Sequence, residues 1–200
     1  AGEAGPAAIR ADAPLRDGSV IVPKPGSAVR FQIYTDASPE ALHLFNTFEI
    51  EAYGQPVLQS PGGRSLTRGL ARWPRDPSVH NILVNGEGPQ LAAGNRLEVI
   101  AWAAGPDWCY VSLDATAAYS KRLKEFRRGV LFVEPDLFVV YDHLVAKEPA
   151  LFQMFLHPPS ATQIDKDWKD LRLELDRAGL VVHAPSGRGP DRLRAWERVQ

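Results

Sequence analysis

The dominant signal along this chain is a hydrophobic period of two. Val29, Phe31 and Ile33 alternate with Arg30, Gln32 and Tyr34, and Phe48, Ile50 and Ala52 alternate with Glu49, Glu51 and Tyr53. Leu97, Val99 and Ala101 alternate with Arg96, Glu98 and Ile100, and Leu171, Leu173 and Leu175 with Arg172, Glu174 and Asp176. Successive side chains of a strand point to opposite faces, so this pattern predicts sheets with one packed face and one more polar face. Residues 130–133, 137–141 and 151–156 are apolar almost throughout. Runs of that kind are expected to be central strands covered on both sides. Glu134-Pro135-Asp136 joins the first two of them and suits a tight turn between antiparallel strands.

Breakers recur at Gly54, Pro61-Gly62-Gly63, 86–89, Gly105-Pro106 and Pro158-Pro159. Short strands divided by turns at these intervals predict an all-β fold, an antiparallel β-sandwich of roughly a dozen strands with little helix. Residues 38–44 and 116–124 are the two stretches expected to hold a short turn or helix. The Ala/Gly/Pro-rich opening contains no hydrophobic stretch, so it reads as a linker rather than a signal peptide. The expected organisation is a linker over residues 1–15 and a sandwich over 16–200. Both ends read as cuts within a longer protein.

Charge narrows the partners. The 23 Lys and Arg against 24 Asp and Glu give a formal net charge of -1. A chain without basic excess is a poor match for nucleic acid, and any groove for an anionic polymer has to be local. Cys109 is the single cysteine, which excludes an intrachain disulfide and a cysteine-based zinc site. No apolar run approaches the length of a membrane helix.

The best local basic cluster lies in the long polar stretch 60–78, where Arg64, Arg68, Arg72 and Arg75 surround Trp73. Arginine forks match carboxylate and sulfate groups, so Arg72, Arg75 and Trp73 are candidates for contact with an acidic saccharide. The plainer alternative is a solvated loop with Trp73 tucked into the core.

Several words along the chain then fit together. Phe48-Glu49-Ile50-Glu51-Ala52-Tyr53-Gly54 runs into a Pro-Gly turn, then Trp73, then His80-Asn81-Ile82-Leu83-Val84-Asn85-Gly86-Glu87-Gly88. Asp114-Ala115-Thr116 with Tyr119 follows, then Phe126-Arg127-Arg128 and Val130-Leu131-Phe132-Val133, Pro135-Asp136, Val139-Val140-Tyr141-Asp142, and Phe152 through His157. In order and spacing this series resembles the heparinase II/III-like polysaccharide lyases over residues 44–157. The resemblance implies an N-terminal (α/α) toroid joined to a C-terminal β-sandwich, with this chain corresponding to the sandwich. It also implies a periplasmic or secreted enzyme that cleaves uronate-containing polysaccharides such as heparin, heparan sulfate or alginate by β-elimination. Such an enzyme draws most catalytic groups, including the tyrosine, from the toroid. The sandwich supplies cleft-lining histidines and, in some members, a zinc site.

Carried over residue by residue, the resemblance places His80 at the cleft histidine, with Asn81 beside it. It also brings Asn46 to one of the polar positions before Phe48. At the family's histidine position this chain has Leu42, and at the positions of the other two metal ligands it has Leu44 and Ser60, so two of the three expected zinc positions are lost and no metal ligand set is assigned. His43 stands one residue from the family histidine and replaces it only if the strand start bulges. The candidate set is therefore His80 and His43 for proton transfer, with Asn81, Asn46, Trp73, Arg72 and Arg75 for the saccharide.

Each candidate has a structural alternative. Asn81 is expected to tie down the loop before it through backbone hydrogen bonds, and Asp142 to anchor structure rather than catalyse. Of Arg127 and Arg128 only one can meet the core, where an ion pair is expected. Trp102 and Trp108 fit either core packing or stacking on sugar rings. Two other functions stay open: a glycan-binding module without chemistry, and a scaffold, which predicts a large exposed apolar patch.

Overall fold

The computed structural model describes residues 15–16, 19–22, 28–35, 45–59, 81–90, 96–158, 163–164, 170–175 and 177–183. The first sheet runs in chain order through β1 (Leu15–Arg16), β2 (Ser19–Val22), β3 (Val29–Tyr34), β4 (Phe48–Ala52) and β5 (Gln55–Leu58). After β6 (Ile82–Val84) comes a second meander: β7 (Glu98–Ala104), β8 (Trp108–Asp114), β9 (Leu123–Val133) and β10 (Leu137–Ala146). β11 (Phe152–Met154) pairs with β6, and β12 (Gln163–Ile164), β13 (Asp170–Glu174) and β14 (Gly179–His183) form a small third meander. Every pairing is antiparallel. The fold is all-β, and helix among the described residues amounts to a 3-10 turn over Thr116–Tyr119.

The two larger sheets meet face to face. β3 and β4 turn Val29, Phe31, Ile33, Phe48, Ile50 and Ala52 inward, and each of these is buried. Opposite them β8 offers Cys109, Val111 and Leu113, and β9 offers Phe126, Val130 and Phe132. Phe31 stacks on Phe48 with centroids 4.8 Å apart and reaches across to Phe138 of β10 at 5.4 Å. Each large apolar side chain removed from water in this layer contributes about 1.5–3 kcal/mol, the main force closing the two sheets.

The turns follow from the residues in them. Asn85 and Gly86 both have positive φ, 54° and 79°, and Val84 and Glu87 bond to each other across them. That is the type I′ geometry that Asn-Gly favours. Tyr53 (φ 53°) and Gly54 (φ 71°) make the corresponding turn between β4 and β5. Glu134-Pro135-Asp136 closes the β9–β10 hairpin, with a cis bond before the proline.

Three expectations need correction. Residues 137–141 are not a covered central strand: β10 ends the order of its sheet, and Leu137, Val139 and Tyr141 are exposed. Only half of its alternation, Phe138, Val140 and Leu144, packs on the core. Residues 151–156 form the short β11 with Leu151, Phe152 and Met154 exposed. An apolar run by itself does not distinguish two covered faces from one core face and one bare one. The alternation through residues 96–101 is also broken. Val99 pairs with Leu113 but Ala101 pairs with Ser112, so Ile100 is a bulged residue and the buried phase moves from Leu97 to Trp102. The expected turn over residues 38–44 lies outside the described residues.

Gly86 has no atom within 4 Å of the place its Cβ would take, so replacement by alanine tests the backbone alone. Gly86→Ala is expected to lower unfolding free energy by about 1 kcal/mol, the cost of a left-handed L-residue. A shift of the urea midpoint with an unchanged m-value is the measurement.

Candidate functional site

Two of the segments that hold candidate residues, the turn before Phe48 and the start of β6, meet at one end of β4. The chain turns at Phe45-Asn46-Thr47, where Asn46 adopts φ 56°, and then enters β4. Asn46 N–H donates to the Tyr34 carbonyl at 2.9 Å and Tyr34 N–H donates to the Thr47 carbonyl at 3.1 Å, so the turn is sewn onto the end of β3. Asn81 then fastens β6 to the same place. Its Oδ1 accepts from Phe48 N–H at 2.6 Å, its Nδ2 donates to the Phe155 carbonyl at 2.8 Å, and its own carbonyl accepts from Phe155 N–H. Asn81 therefore bridges the first sheet and the β6–β11 pair from a position that is almost wholly buried.

Beneath this turn lies a buried charge. Arg128 is fully buried, pointing inward in phase with Phe126, Val130 and Phe132. Its Nε and Nη2 donate to the two carboxylate oxygens of Asp142 at 2.7 and 2.8 Å, and its Nη1 donates to the Asn46 carbonyl at 2.9 Å. The guanidinium plane sits against the rings of Phe48 and Phe126, 5.4 and 5.6 Å from their centroids. Burial works against its charge, yet the Asp142 carboxylate outweighs burial and holds its pKa above the usual arginine value. Arg127 takes the opposite face and pairs with Glu125 at 2.8 Å, so the expected division between the two arginines is as observed.

Tyr119, from the 3-10 turn, completes the network. Its hydroxyl donates to the Ile82 carbonyl at 3.1 Å and its ring meets Phe126 edge-on at 5.0 Å. Burial pushes its pKa well above the ordinary tyrosine value, against the opposing pull of the Asn46 amide and Arg128. Asn46 Nδ2 itself makes no hydrogen bond of full geometry. A neutral, buried phenol fixed to a backbone carbonyl is a structural strut in this chain.

Of the sequence candidates, the structure brings Asn46 and Asn81 to one place and gives both backbone-anchoring contacts. His80, His43, Trp73, Arg72 and Arg75 lie outside the described residues. Trp102 is core and Trp108 is half-exposed, packed on Gly105, whose missing Cβ leaves room for the indole. No group of three His, Cys, Asp or Glu able to hold a metal occurs among the described residues, and the positions that the resemblance gives to metal ligands, Leu44, Ser60 and His80, lie outside them. No helix among the described residues is long and apolar enough to cross a membrane. Neither the known family models nor the curated proteins contain a match to this chain.

What the sequence did not signal is the connection: nothing in the spacing of Asn46, Tyr119, Arg128 and Asp142 says that they share one buried network. The phase of Arg128 among buried aromatics was the available clue.

Two outcomes test the network. Arg128→Met is expected to destabilise the fold by about 3–5 kcal/mol because it leaves the Asp142 carboxylate uncompensated, while Arg128→Met/Asp142→Leu costs far less than the sum of the single changes. Chemical denaturation of the four proteins measures this cycle. The second concerns alkali. Unfolded tyrosine ionises near pH 10, at about its model-peptide value, whereas folded Tyr119 keeps its proton to higher pH. Above that pH the folded state binds more protons, so stability is expected to fall as pH rises. Tyr119→Phe should flatten this slope in thermal melts.

Proposed function

We propose that this chain is the β-sandwich portion of a polysaccharide lyase that cleaves uronate-containing glycans by β-elimination, as its resemblance to the heparinase II/III-like enzymes suggests. The structural observation that supports the reading is the Asn81 fastening. The polar turn before Phe48 and the segment that follows His80 are two separate words of that resemblance, and one side chain ties them together at the end of β4.

The chemistry explains why such a fastening matters. The C5 proton of a uronate becomes removable only when the neighbouring carboxylate is neutralised by donors. A base then takes the proton, and an acid protonates the departing oxygen. His80 is the Brønsted group this chain offers, as an imidazole titrating near neutrality, with His43 as its substitute. Arg72, Arg75 and Trp73 would engage the carboxylates and sugar faces of the polymer. The remaining groups belong to an (α/α) toroid in the same protein, in a periplasmic or secreted setting. The isolated sandwich is accordingly expected to be a poor catalyst, because proximity of base, acid and neutraliser is not assembled in it.

A non-catalytic role as a glycan-binding or scaffold module is the second reading. It is favoured by Leu44 and Ser60 at the family's metal positions, and the scaffold version by the exposed apolar residues of β10.

Incubating the full-length protein with heparin, heparan sulfate, alginate and hyaluronan, while following the ultraviolet absorbance of unsaturated uronate, separates the readings. A rise that His80→Ala abolishes is the expected result. A folded protein that gives no rise on any substrate sinks the lyase assignment and leaves the binding or scaffold role.

A further inference from the structure

Of the four asparagines in the chain, Asn85 alone precedes a glycine. Its surroundings also differ. Asn46 and Asn81 are buried, belong to the network described above, and are followed by the β-branched Thr47 and Ile82. Asn85 and Gly86 form the exposed tip of the turn that leaves β6. Nothing lies within 4 Å of the place a Gly86 Cβ would take, so no side chain crowds the Gly86 nitrogen from that side. The hydrogen bonds of the turn join Val84 and Glu87 and bypass Gly86 N–H, which bonds to no backbone carbonyl among the described residues. Asn85 Oδ1 accepts from Leu151 N–H at 2.8 Å, a contact that draws electron density away from Cγ.

We propose that Asn85 is a modification site at which the folded protein deamidates through a cyclic imide. Asparagine is a thermolabile side chain, and a following glycine leaves the approach to it open. Gly86 N gives its proton to hydroxide and attacks Asn85 Cγ, closing a five-membered ring. The bond from Cγ to the side-chain nitrogen breaks, and ammonia leaves with a proton from water, which regenerates hydroxide. Water then opens the ring at either carbonyl. Attack at Cγ returns the main chain as aspartate, and attack at the former backbone carbonyl routes the chain through Cβ and Cγ as isoaspartate. The net change is one water taken up for one ammonia released.

The ring closes only after rotation about the Asn85 Cα–C bond, so the turn has to open first. Its restraints are the Val84–Glu87 bonds, the 2.9 Å bond from Asn85 N–H to the Leu151 carbonyl, and the Oδ1 contact. They lie at the end of a pair of strands of three residues each, where opening is local and needs no global unfolding. The two products differ in consequence. An aspartate carboxylate accepts from Leu151 N–H as the amide did, with charge added. Isoaspartate adds a methylene to the main chain of a two-residue turn and carries its carboxylate on Cα, so both the turn and the Leu151 contact are lost.

The site rests on the fold alone and is independent of the lyase reading. The 200-residue chain is held folded in mildly alkaline buffer, sampled over weeks, digested in acid and read by mass spectrometry. The peptide containing Asn85 is expected to gain one mass unit, in isoaspartyl and aspartyl forms, at a rate proportional to hydroxide. Peptides containing Asn46 and Asn81 should stay unchanged, and Asn85→Gln should abolish the gain. Asn85→Asp carries the new charge without the added methylene, so the isoaspartyl protein is expected to exchange the Leu151 and Phe155 amides faster than this variant does. No gain in the folded chain, over a period in which the urea-unfolded chain converts, overturns the proposal. So does equal conversion at Asn46 and Asn81, which would place the reaction in unfolded molecules. Isoaspartyl protein that exchanges like Asn85→Asp overturns the loss of the Leu151 contact.

Discussion

The structure depends on one guanidinium group. Arg128 stands where a strand directed at the core would normally present leucine or phenylalanine, and its charge is made tolerable by a carboxylate fork, a carbonyl and two aromatic faces. An ion pair so placed is not a source of net stability, since an apolar pair of similar volume would serve as well. Its value is directional. Hydrophobic side chains accept many packings, whereas a planar fork accepts few. Through Asp142 it fixes β10 against β9, and through Asn46 it fixes the turn of the opposite sheet, so the two layers of the sandwich are aligned by a single side chain.

That alignment passes directly to the candidate cleft. Asn46 is held from below by Arg128 and sideways by Tyr34, and Phe48 is held by Asn81. The Asn81 side chain is thus spent on backbone groups, and the Asn46 backbone is held by Arg128 and Tyr34. Any chemistry here has to come from side chains supported by this frame rather than from the frame itself. This division explains why Asn46 and Asn81 can sit within a segment that resembles an active-site word and still be deeply buried.

How much of this could be read from the residues varies by element. The alternation in 29–34 and 48–53 identified β3 and β4 with their inward faces, because one face of each is core and the other is ionic. The turns at Gly54 and Gly86 were legible as breaks because glycine readily takes the positive φ that both adopt. The apolar runs of β10 and β11 misled, since sequence hydrophobicity reports what a face prefers and not what lies against it. The strand through Leu97 to Ala104 misled for a different reason: one bulged residue reverses the phase, and periodicity has no memory of such a step. At the site, Asn81 bonds to the backbone of Phe48 and Phe155, while the loop expected to be tied down by it lies outside the described residues. The structural expectations for Asp142 and the Arg127/Arg128 pair agree with the contacts seen. Their convergence with Tyr119 and Asn46 required the third dimension.

The Ile100 bulge has a bearing on how this chain should be compared with others. Strands on either side of it are locked in opposite phase, by Leu97 and Val99 before and Trp102 after. A relative that lacked the bulge would have to delete one residue between these anchors and leave everything else in register. An ungapped comparison would then match core positions to surface positions along the rest of the β7 strand, and kinship in this region would be under-scored. A single gap opened at residue 100 restores the correspondence, which makes that position the natural place to divide the chain when searching for distant kin.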